Sequence, residues 1–314
     1  MWRPTANVSI LESRAVLLTE LRSFFHARRS LEVDVPVIAK TPTSDPWLDS
    51  FQVVDPDGTS IGYLLTSPET YLKRLLAEHK RSIHAITKAY RANEQGANHA
   101  IEFTMLEWYR PTSVAPFESM VSELQDLVED FTSLGRPQVL TYRELFESQF
   151  GINPHEACPA DLMSFVNESL GAEAKKSLDL DSLLNILFLN AIEPRLHNHL
   201  VIDFPISQAA LSRIDSQGSD LVAKRVELYL LGTEIANGYY ELTDAVEQSN
   251  RFDQHAAHRA SLGRPGVPKD SALVDALTAG LPESYGVALG VDRLLKTIVG
   301  AASVTECMTF TGYL

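Results

Sequence analysis

Apolar residues at Leu11, Ala15, Leu18, Leu21 and Phe25 recur at intervals of four, three, three and four. This spacing predicts one face of an amphipathic helix. The pattern fades at Arg28-Arg29-Ser30. Leu31, Val33 and Val35 then alternate with Glu32 and Asp34, a strand with one buried face that Pro36 ends or marks as an edge. Asp55-Pro-Asp-Gly58 is a hairpin turn signal. Thr66-Ser67-Pro68-Glu69 opens a helix, with Ser67 able to cap, Pro68 suited to the first helical position, and Tyr71, Leu72, Leu75 and Leu76 as its apolar face.

Strands are expected at 84–91 and 102–109, joined by a polar loop over 92–101, and a helix at 115–133. Residues 140–200 read as mostly helical, followed by a short strand at Val201–Phe204. A second hairpin is expected over 225–243, turning near Leu231-Gly232. A polar helix follows at 245–260, and then a buried strand, Val287–Val291, that runs into a helix at Asp292. Consecutive strands are often joined by hairpins. This predicts an α+β fold, an antiparallel sheet flanked by helices, and argues against a doubly wound one. The expectation is one catalytic domain over 1–314, with a helical insertion at about 140–200.

Composition narrows the class. Hydrophobic residues make up 45% of the 314, enough for a full core, and 22% charged residues with modest Pro and Gly argue against disorder. The formal charge of -14 gives no overall attraction to nucleic acid. Cys158 and Cys307 form no CxxC pattern, so neither a disulfide framework nor a zinc site follows. With no secretory signal and no apolar run of membrane-spanning length, a cytoplasmic protein with no membrane partner is expected. No GxGxxG or GxxxxGK[ST] loop is present, so nucleotide binding must rest on other features.

Three constellations carry chemistry. On the strand 102–109, Phe103, Met105, Glu107 and Tyr109 share one face. A carboxylate there needs a partner, and a cationic substrate would supply one, with the Tyr109 hydroxyl adding a hydrogen bond. Arg91 can reach a phosphate across the loop. The same strand reads equally well as a core strand with Glu107 paired to an internal arginine. In the second hairpin, a two-residue turn puts Glu227 opposite Ala236 and on the same face as Glu234, a carboxylate pair suited to Mg²⁺. Gly238 is read as a bulge that turns Asn237 toward the same ligand, with Tyr239 and Glu241 beyond. The bland alternative, a solvated hairpin face, sits badly with apolar Leu228, Leu230 and Ile235. The third is Gly286-Val-Ala-Leu-Gly-Val-Asp-Arg293, where Gly290 admits a ligand close to the backbone and Arg293 stands at a helix start that favours anions. It reads equally as a packed strand with an arginine salt bridge. His197-x-His199 has strand spacing for a metal, but no further ligand accompanies it.

In this order the three constellations resemble the signature motifs of class II aminoacyl-tRNA synthetases. Glu102-Phe-Thr-Met-Leu-Glu-Trp-Tyr109 and Asn237-Gly-Tyr-Tyr-Glu-Leu-Thr-Asp244 look like the lysyl enzymes. The resemblance runs from Arg14 to the C-terminal helix. With the catalytic fold starting at about residue 10, no room is left for the anticodon-binding OB domain of the lysyl-tRNA synthetases. The closer resemblance is to the stand-alone lysyl-synthetase paralogues that modify elongation factor P, the elongation factor P–(R)-β-lysine ligase family. It is carried by Thr66–Glu69, by 102–111 and by 286–294. Ala288 stands where lysyl-tRNA synthetases usually have Gly, and one methyl in such a pocket shifts selectivity by roughly 1–3 kcal/mol.

The resemblance implies ATP as a substrate, Mg²⁺, and (R)-β-lysine or lysine as the amino acid. It implies that Arg91 contacts the α-phosphate and substrate carboxylate, and that Arg293 holds the far end of the triphosphate. These are the two catalytic residues. Phe103 stacks on adenine, Ala92, Asn93, His99, Ala100, the Ile235 backbone and Gly290 lie at the nucleotide, and Glu227 and Glu234 bind the metal. Ser67, Pro68 and Glu69 surround the substrate's backbone amine. Glu107, Tyr109 and Glu241 take the side-chain ammonium, with Asn237, Tyr239 and Ala288 adjacent.

The family reads Phe-Arg-Asn-Glu where this chain has Tyr90-Arg91-Ala92-Asn93, and His-Asn-Pro-Glu where it has His99-Ala100-Ile101-Glu102. An Asn93 side-chain oxygen can replace the lost glutamate at the adenine amine, and a contact at Ala100 can come only from the backbone.

The reaction so implied is adenylate formation followed by acyl transfer to a lysine of elongation factor P. A homodimer through the first helix and the strand ending at Pro36 is implied as well. Three alternatives stay open: a lysyl-tRNA synthetase-like enzyme with another acceptor, a silent amino-acid-binding paralogue favoured by Ala92-Asn93, and a relative of asparagine synthetase. The cation-fitting set Glu107, Tyr109 and Glu241 speaks against the last, and tRNA is not an expected partner.

Overall fold

The computed structural model describes residues 2–171 and 178–311. The chain divides into two compact units, residues 1–117 with 242–314, and residues 118–241.

The first unit opens with α1 (Val8–Ala27), capped by Asn7, whose side-chain oxygen accepts from the Ile10 amide at 3.0 Å. Its buried face is Leu17, Leu21, Phe24 and Phe25, so the stripe expected from Leu11, Ala15 and Leu18 is rotated. The cause is Arg14. Its guanidinium reaches Asp292 at 2.5 Å and the Thr104 hydroxyl at 2.6 Å, which places a polar tie where the apolar stripe would have continued.

β1 (Leu31–Glu32) is shorter than the expected strand. β2 (Ile38–Ala39), β3 (Gln52–Val54) and β4 (Ser60–Leu64) make a small antiparallel sheet in the order β2-β4-β3, with the turn at Asp55–Gly58 closed by the Gly58 amide on the Asp55 carbonyl at 3.0 Å. Helix α2 (Glu69–His79) starts one residue later than expected, with Pro68 in the cap position. Ser67 Oγ accepts from the Glu69 amide at 3.1 Å. The hairpin β5 (Ile83–Tyr90) and β6 (Glu102–Pro111) follows.

The second unit holds α3 (Ser119–Phe131), β7 (Gln138–Thr141), α4 (Tyr142–Phe150), α5 (Pro159–Leu170), α6 (Leu180–Leu187), β8 (Asn198–Pro205), β9 (Ile214–Gln217), β10 (Asp220–Leu230) and β11 (Thr233–Tyr240). Strands β11, β10, β8 and β7 run in that order, with β9 also on β10. The stretch 140–200 is helical as expected, except that residues 172–177 lie outside the described residues. Its aromatic rings form the core of this unit: Tyr142 stacks on Phe146 and Phe188 at 4.8 and 5.2 Å, and Phe188 meets Tyr229 of β10 at 5.6 Å.

The chain returns to the first unit with α7 (Ala245–Ser261), α8 (Ser271–Gly280), β12 (Ser284–Gly290) and α9 (Val291–Val299). There β1, β5, β6 and β12 lie side by side. The β5–β6–β12 pairings are antiparallel as expected, but β1 runs parallel to β5, and β7 parallel to β8 in the second unit. The strands of the large sheet in each unit are therefore mixed, while β2-β4-β3 is antiparallel. One face of the first unit's sheet packs on α1, where Phe25 meets Trp108 at 5.0 Å and His84 at 4.9 Å. Helix α2 also packs on β5 and β6. Among the described residues no helix is long and apolar enough to cross a membrane.

Removing the Arg14 guanidinium strands the buried Asp292 carboxylate, whose second oxygen accepts only the Thr104 amide at 2.6 Å among the bonds described here. Arg14→Met is expected to cost about 3 kcal/mol of stability, read as a lower denaturation midpoint in urea.

Candidate active site

Cross-strand partners share a face of a sheet. Glu107 pairs with Ala85 on one side and Ala288 on the other, Tyr109 with Ile83 and Gly286, Met105 with Thr87 and Gly290, and Phe103 with Ala89. Large residues of β6 are thus flanked by small ones, which leaves room above Glu107. Ala288 and Gly290 are half-buried, while Val287 and Leu289, on the opposite face, are buried.

Glu107 is 2% exposed. The Tyr109 hydroxyl donates to its Oε1 at 2.5 Å and the Ser67 hydroxyl to its Oε2 at 2.8 Å. Burial pushes its carboxyl up to about 8, and the neighbouring Glu69 charge adds to this. The two hydroxyls and the Lys73 ammonium work in the other direction. Lys73 is itself buried and lies 2.5 Å from Glu69 Oε1. Ser67, Glu69, Glu107 and Tyr109, four residues singled out in the sequence, are therefore gathered at one place. Lys73 was not anticipated. Its signal was the four-residue spacing from Glu69 on the apolar face of α2.

Arg91 is half-buried; its Nε donates to the Thr66 carbonyl at 3.4 Å, and its guanidinium lies 5.1 Å from the Phe103 ring centre. The loop between β5 and β6 is tied down at several points. The Ala92 amide donates to Asp49 O at 2.9 Å, and Ala100 is buried against Val304 and Met308. Asn93 is exposed in a left-handed conformation, φ 64°. At the start of α9, Arg293 donates from Nε to the Asn98 carbonyl at 3.0 Å, and its Nη2 lies 2.7 Å from His99 Nε2. Lys296 donates to Asn98 Oδ1 at 2.6 Å. Gly290 has no strained backbone, and a Cβ there would meet only Arg293's own side chain at ordinary contact distance.

In the second unit the β10–β11 turn is Leu231-Gly232, both with positive φ, the geometry of a two-residue hairpin. The register differs from the expected one. Tyr229 pairs with Glu234, Leu228 with Ala236 and Glu227 with Asn237. Ile235 is thus the extra residue of a bulge, and the alternation changes there and not at Gly238. Through this bulge Glu234, Asn237 and Tyr239 share a face with Arg225, Glu227 and Tyr229, while Ile235 is buried on the other side.

Arg225 organises the cluster. It donates to Glu227, to Asn237 Oδ1 at 3.2 Å and to the Gln208 carbonyl at 3.2 Å, with its guanidinium centre 4.7 Å from the Phe204 ring and 5.8 Å from Tyr239. The Tyr229 hydroxyl takes the other oxygen of Glu227, and Asn237 Nδ2 reaches the Tyr239 hydroxyl at 3.3 Å. Burial raises the Glu227 pKa, Arg225 opposes that, and the Glu234 charge adds to it. Arg225 and Tyr229 were missed in the sequence, although the period-two run Arg225, Glu227, Tyr229 carried the signal.

A divalent cation fits this donor set. Glu227 and Glu234 repel each other on one face, and each Glu227 oxygen keeps a lone pair beyond its one hydrogen bond. Among the described residues no group of three or more His, Cys, Asp or Glu forms a complete metal cage, so further oxygen ligands would have to come from a substrate. Glu241 is buried at the end of β11, its backbone bridged to Ser212.

The family model for class II tRNA synthetases (D, K and N) matches residues 1–313, and the chain belongs to that family. It is 40% identical over 320 residues to the elongation factor P–(R)-β-lysine ligase of Erwinia tasmaniensis, across 99% of this chain and 97% of that relative. It is 39% identical over 319 residues to the proteins of the same name from Enterobacter sp. and Salmonella paratyphi A, with the same coverage. The chain is a ligase.

Glu107 has its pKa raised on folding, so the stability it contributes is complete below the ordinary carboxylate pKa and is lost as pH rises through about 8. Glu107→Gln should gain stability relative to the parent between pH 5 and 8, by about 1.4 kcal/mol per pH unit at the steepest. Urea unfolding of both proteins at a series of pH values checks this, and parallel curves would contradict it.

Proposed function

We propose that this ligase activates (R)-β-lysine with ATP as an enzyme-bound adenylate and transfers the acyl group to a lysine side chain of elongation factor P. The observation that carries the reading is Glu107. A carboxylate buried this deeply, held by two hydroxyl donors and flanked by alanines, lacks only a cation to stay ionised. The side-chain ammonium of a lysine-type amino acid supplies it. The relatives' name supports the β-amino acid and the acceptor.

In the first step the substrate carboxylate oxygen attacks the α-phosphorus of ATP. An acyl–phosphate bond forms, the bond to the β,γ-unit breaks, and pyrophosphate leaves. Arg91 and Arg293 offset the charge that develops on the phosphates, so catalysis is mainly positioning and electrostatics. Both must first exchange internal partners: Arg91 leaves the Thr66 carbonyl and Phe103, and Arg293 leaves Asn98 and His99. Phe103 then stacks on adenine, with Ala92, Asn93, His99, Ala100, the Ile235 backbone and Gly290 at the nucleotide. Glu234 and Glu227 would hold a Mg²⁺, which would offset charge on the phosphates. Ser67, Pro68 and Glu69 surround the amine nearer the carboxylate, and Tyr109, Asn237, Tyr239, Glu241 and Ala288 are further amino-acid contacts.

In the second step the acceptor amine attacks the acyl carbon, an amide forms and AMP leaves. A free lysine amine has a pKa near 10.4, so a proton must be lost on docking, and the adenylate phosphate is positioned by the chemistry itself to take it.

We also assign a homodimer. Its support is exposed apolar surface on the first helix, at Val8 and Val16, and on the strand that follows, at Leu31, with Val37 and Ile38 just beyond Pro36. Sedimentation of the purified protein at micromolar concentration should give twice the chain mass, and a monomer would remove this assignment.

ATP–pyrophosphate exchange tests the function. Strong exchange with (R)-β-lysine, weaker exchange with (S)-lysine and none without amino acid is the expected result. Exchange with (S)-lysine alone would favour a tRNA-charging enzyme, and exchange with neither would favour a binding module. Ala288→Gly is expected to move preference toward (S)-lysine by about tenfold or more.

A further inference from the structure

Helix α2 carries a charge that the proposed reaction does not use. Lys73 is buried between Leu72 and Leu76, both with no exposed surface. An ammonium removed from water is costly unless a partner meets it. Its Nζ lies 2.5 Å from Glu69 Oε1, one helical turn earlier, and the pair is lopsided: the Lys73 side chain is 2% exposed and that of Glu69 20%. The anion stands toward solvent with the cation behind it. A pair that served only the helix would place both charges on the solvated face.

Two carboxylates bear on this place. The charge on Glu69 opposes ionisation of Glu107, and that on Lys73 favours it. The other groups acting on Glu107 are the Ser67 and Tyr109 hydroxyls. Its cross-strand neighbours on β5 and β12, Ala85 and Ala288, carry no charge.

We propose that Lys73 is a positioning residue for amino-acid selection. By holding Oε1 of Glu69 it keeps Oε2 for the substrate amine, and once Glu107 gives up its proton the charge of Lys73 brings the total of Glu69, Glu107 and Lys73 to minus one. A diamino monocarboxylic acid carries two ammonium groups and one carboxylate, a net charge of plus one. The pocket therefore matches the charge of that class as a whole. A monoamino acid of zero net charge has no second ammonium to displace the proton from Glu107 and forgoes that ion pair.

This inference rests on the amino-acid reading above, so the test has one arm that needs no substrate. Carboxyl ¹³C NMR of glutamate-labelled protein, with Glu107→Gln to assign the signal, follows the titration of Glu107 in Lys73→Met, Lys73→Arg and Glu69→Gln. Lys73→Met should move it about one unit to higher pH, Glu69→Gln should move it lower, and Lys73→Arg should leave it near the parent. In pyrophosphate exchange, Lys73→Met should raise KM for (R)-β-lysine about tenfold at neutral pH, the same one-unit effect, with KM for ATP unchanged. Shifts of the same sign in Lys73→Met and Glu69→Gln, or no shift, overturn the proposal, as does an equal rise in KM for ATP. Should Lys73→Met not fold, Lys73→Gln carries the same test, with an upward shift expected and no shift overturning the proposal. Absence of exchange in the parent would sink the amino-acid reading, and the titrations would still decide whether Lys73 sets the charge state of Glu107.

Discussion

The first unit's chemistry depends on keeping one carboxylate out of water. Glu107 sits on the middle strand of β5–β6–β12, where the backbone bonds to both neighbours and the side chain has nowhere to snorkel. Its two oxygens are satisfied by Ser67 and Tyr109, yet two neutral donors do not neutralise a charge, and Glu69 adds to the strain on it. A buried carboxyl in this condition keeps its proton up to about pH 8 and is a good receptor for a cation that can take the proton's place. The alanines and glycines on either side are what make the receptor accessible.

The second unit treats its buried carboxylate differently. Glu227 is already neutralised by Arg225, whose guanidinium is itself fixed by Asn237, a backbone carbonyl and two aromatic rings. The aromatic core supplied by the helical stretch 140–200 holds Tyr229, and Tyr229 holds Glu227. That stretch, which carried no readable motif, thus supports the hairpin by packing. One carboxylate is left wanting a cation and the other is locked in place by an arginine and a tyrosine.

Much of this was legible in the sequence. Period-two alternation placed Glu107 and Tyr109 on one face, and Leu231-Gly232 set the second hairpin. Three things were not legible, each for a physical reason. The bulge was assigned to Gly238 because glycine is the usual marker, whereas the chain makes it at Ile235, where an apolar side chain can turn inward. The stripe of α1 was read through Leu11, Ala15 and Leu18 as well as Leu21 and Phe25, whereas the buried face is Leu17, Leu21, Phe24 and Phe25, with Arg14 tied to the buried Asp292. The strand at Leu31–Val35 was read from its alternation, but its parallel pairing with β5 was not, and β7 was missed because four residues give little periodicity to read. The charges that complete each cluster, Lys73 and Arg225, look like ordinary surface residues until the fold buries them.

The central claim is that a substrate ammonium takes over from the proton on Glu107. Calorimetric titration with (R)-β-lysine near pH 7, in two buffers of different ionisation enthalpy, counts the protons exchanged on binding. With Glu107 titrating at about 8, close to one proton should be released per amino acid bound. The release should fall away as pH rises past that value and be absent in Glu107→Gln. Binding with no proton release at pH 7, or with the same release in Glu107→Gln, would contradict the account.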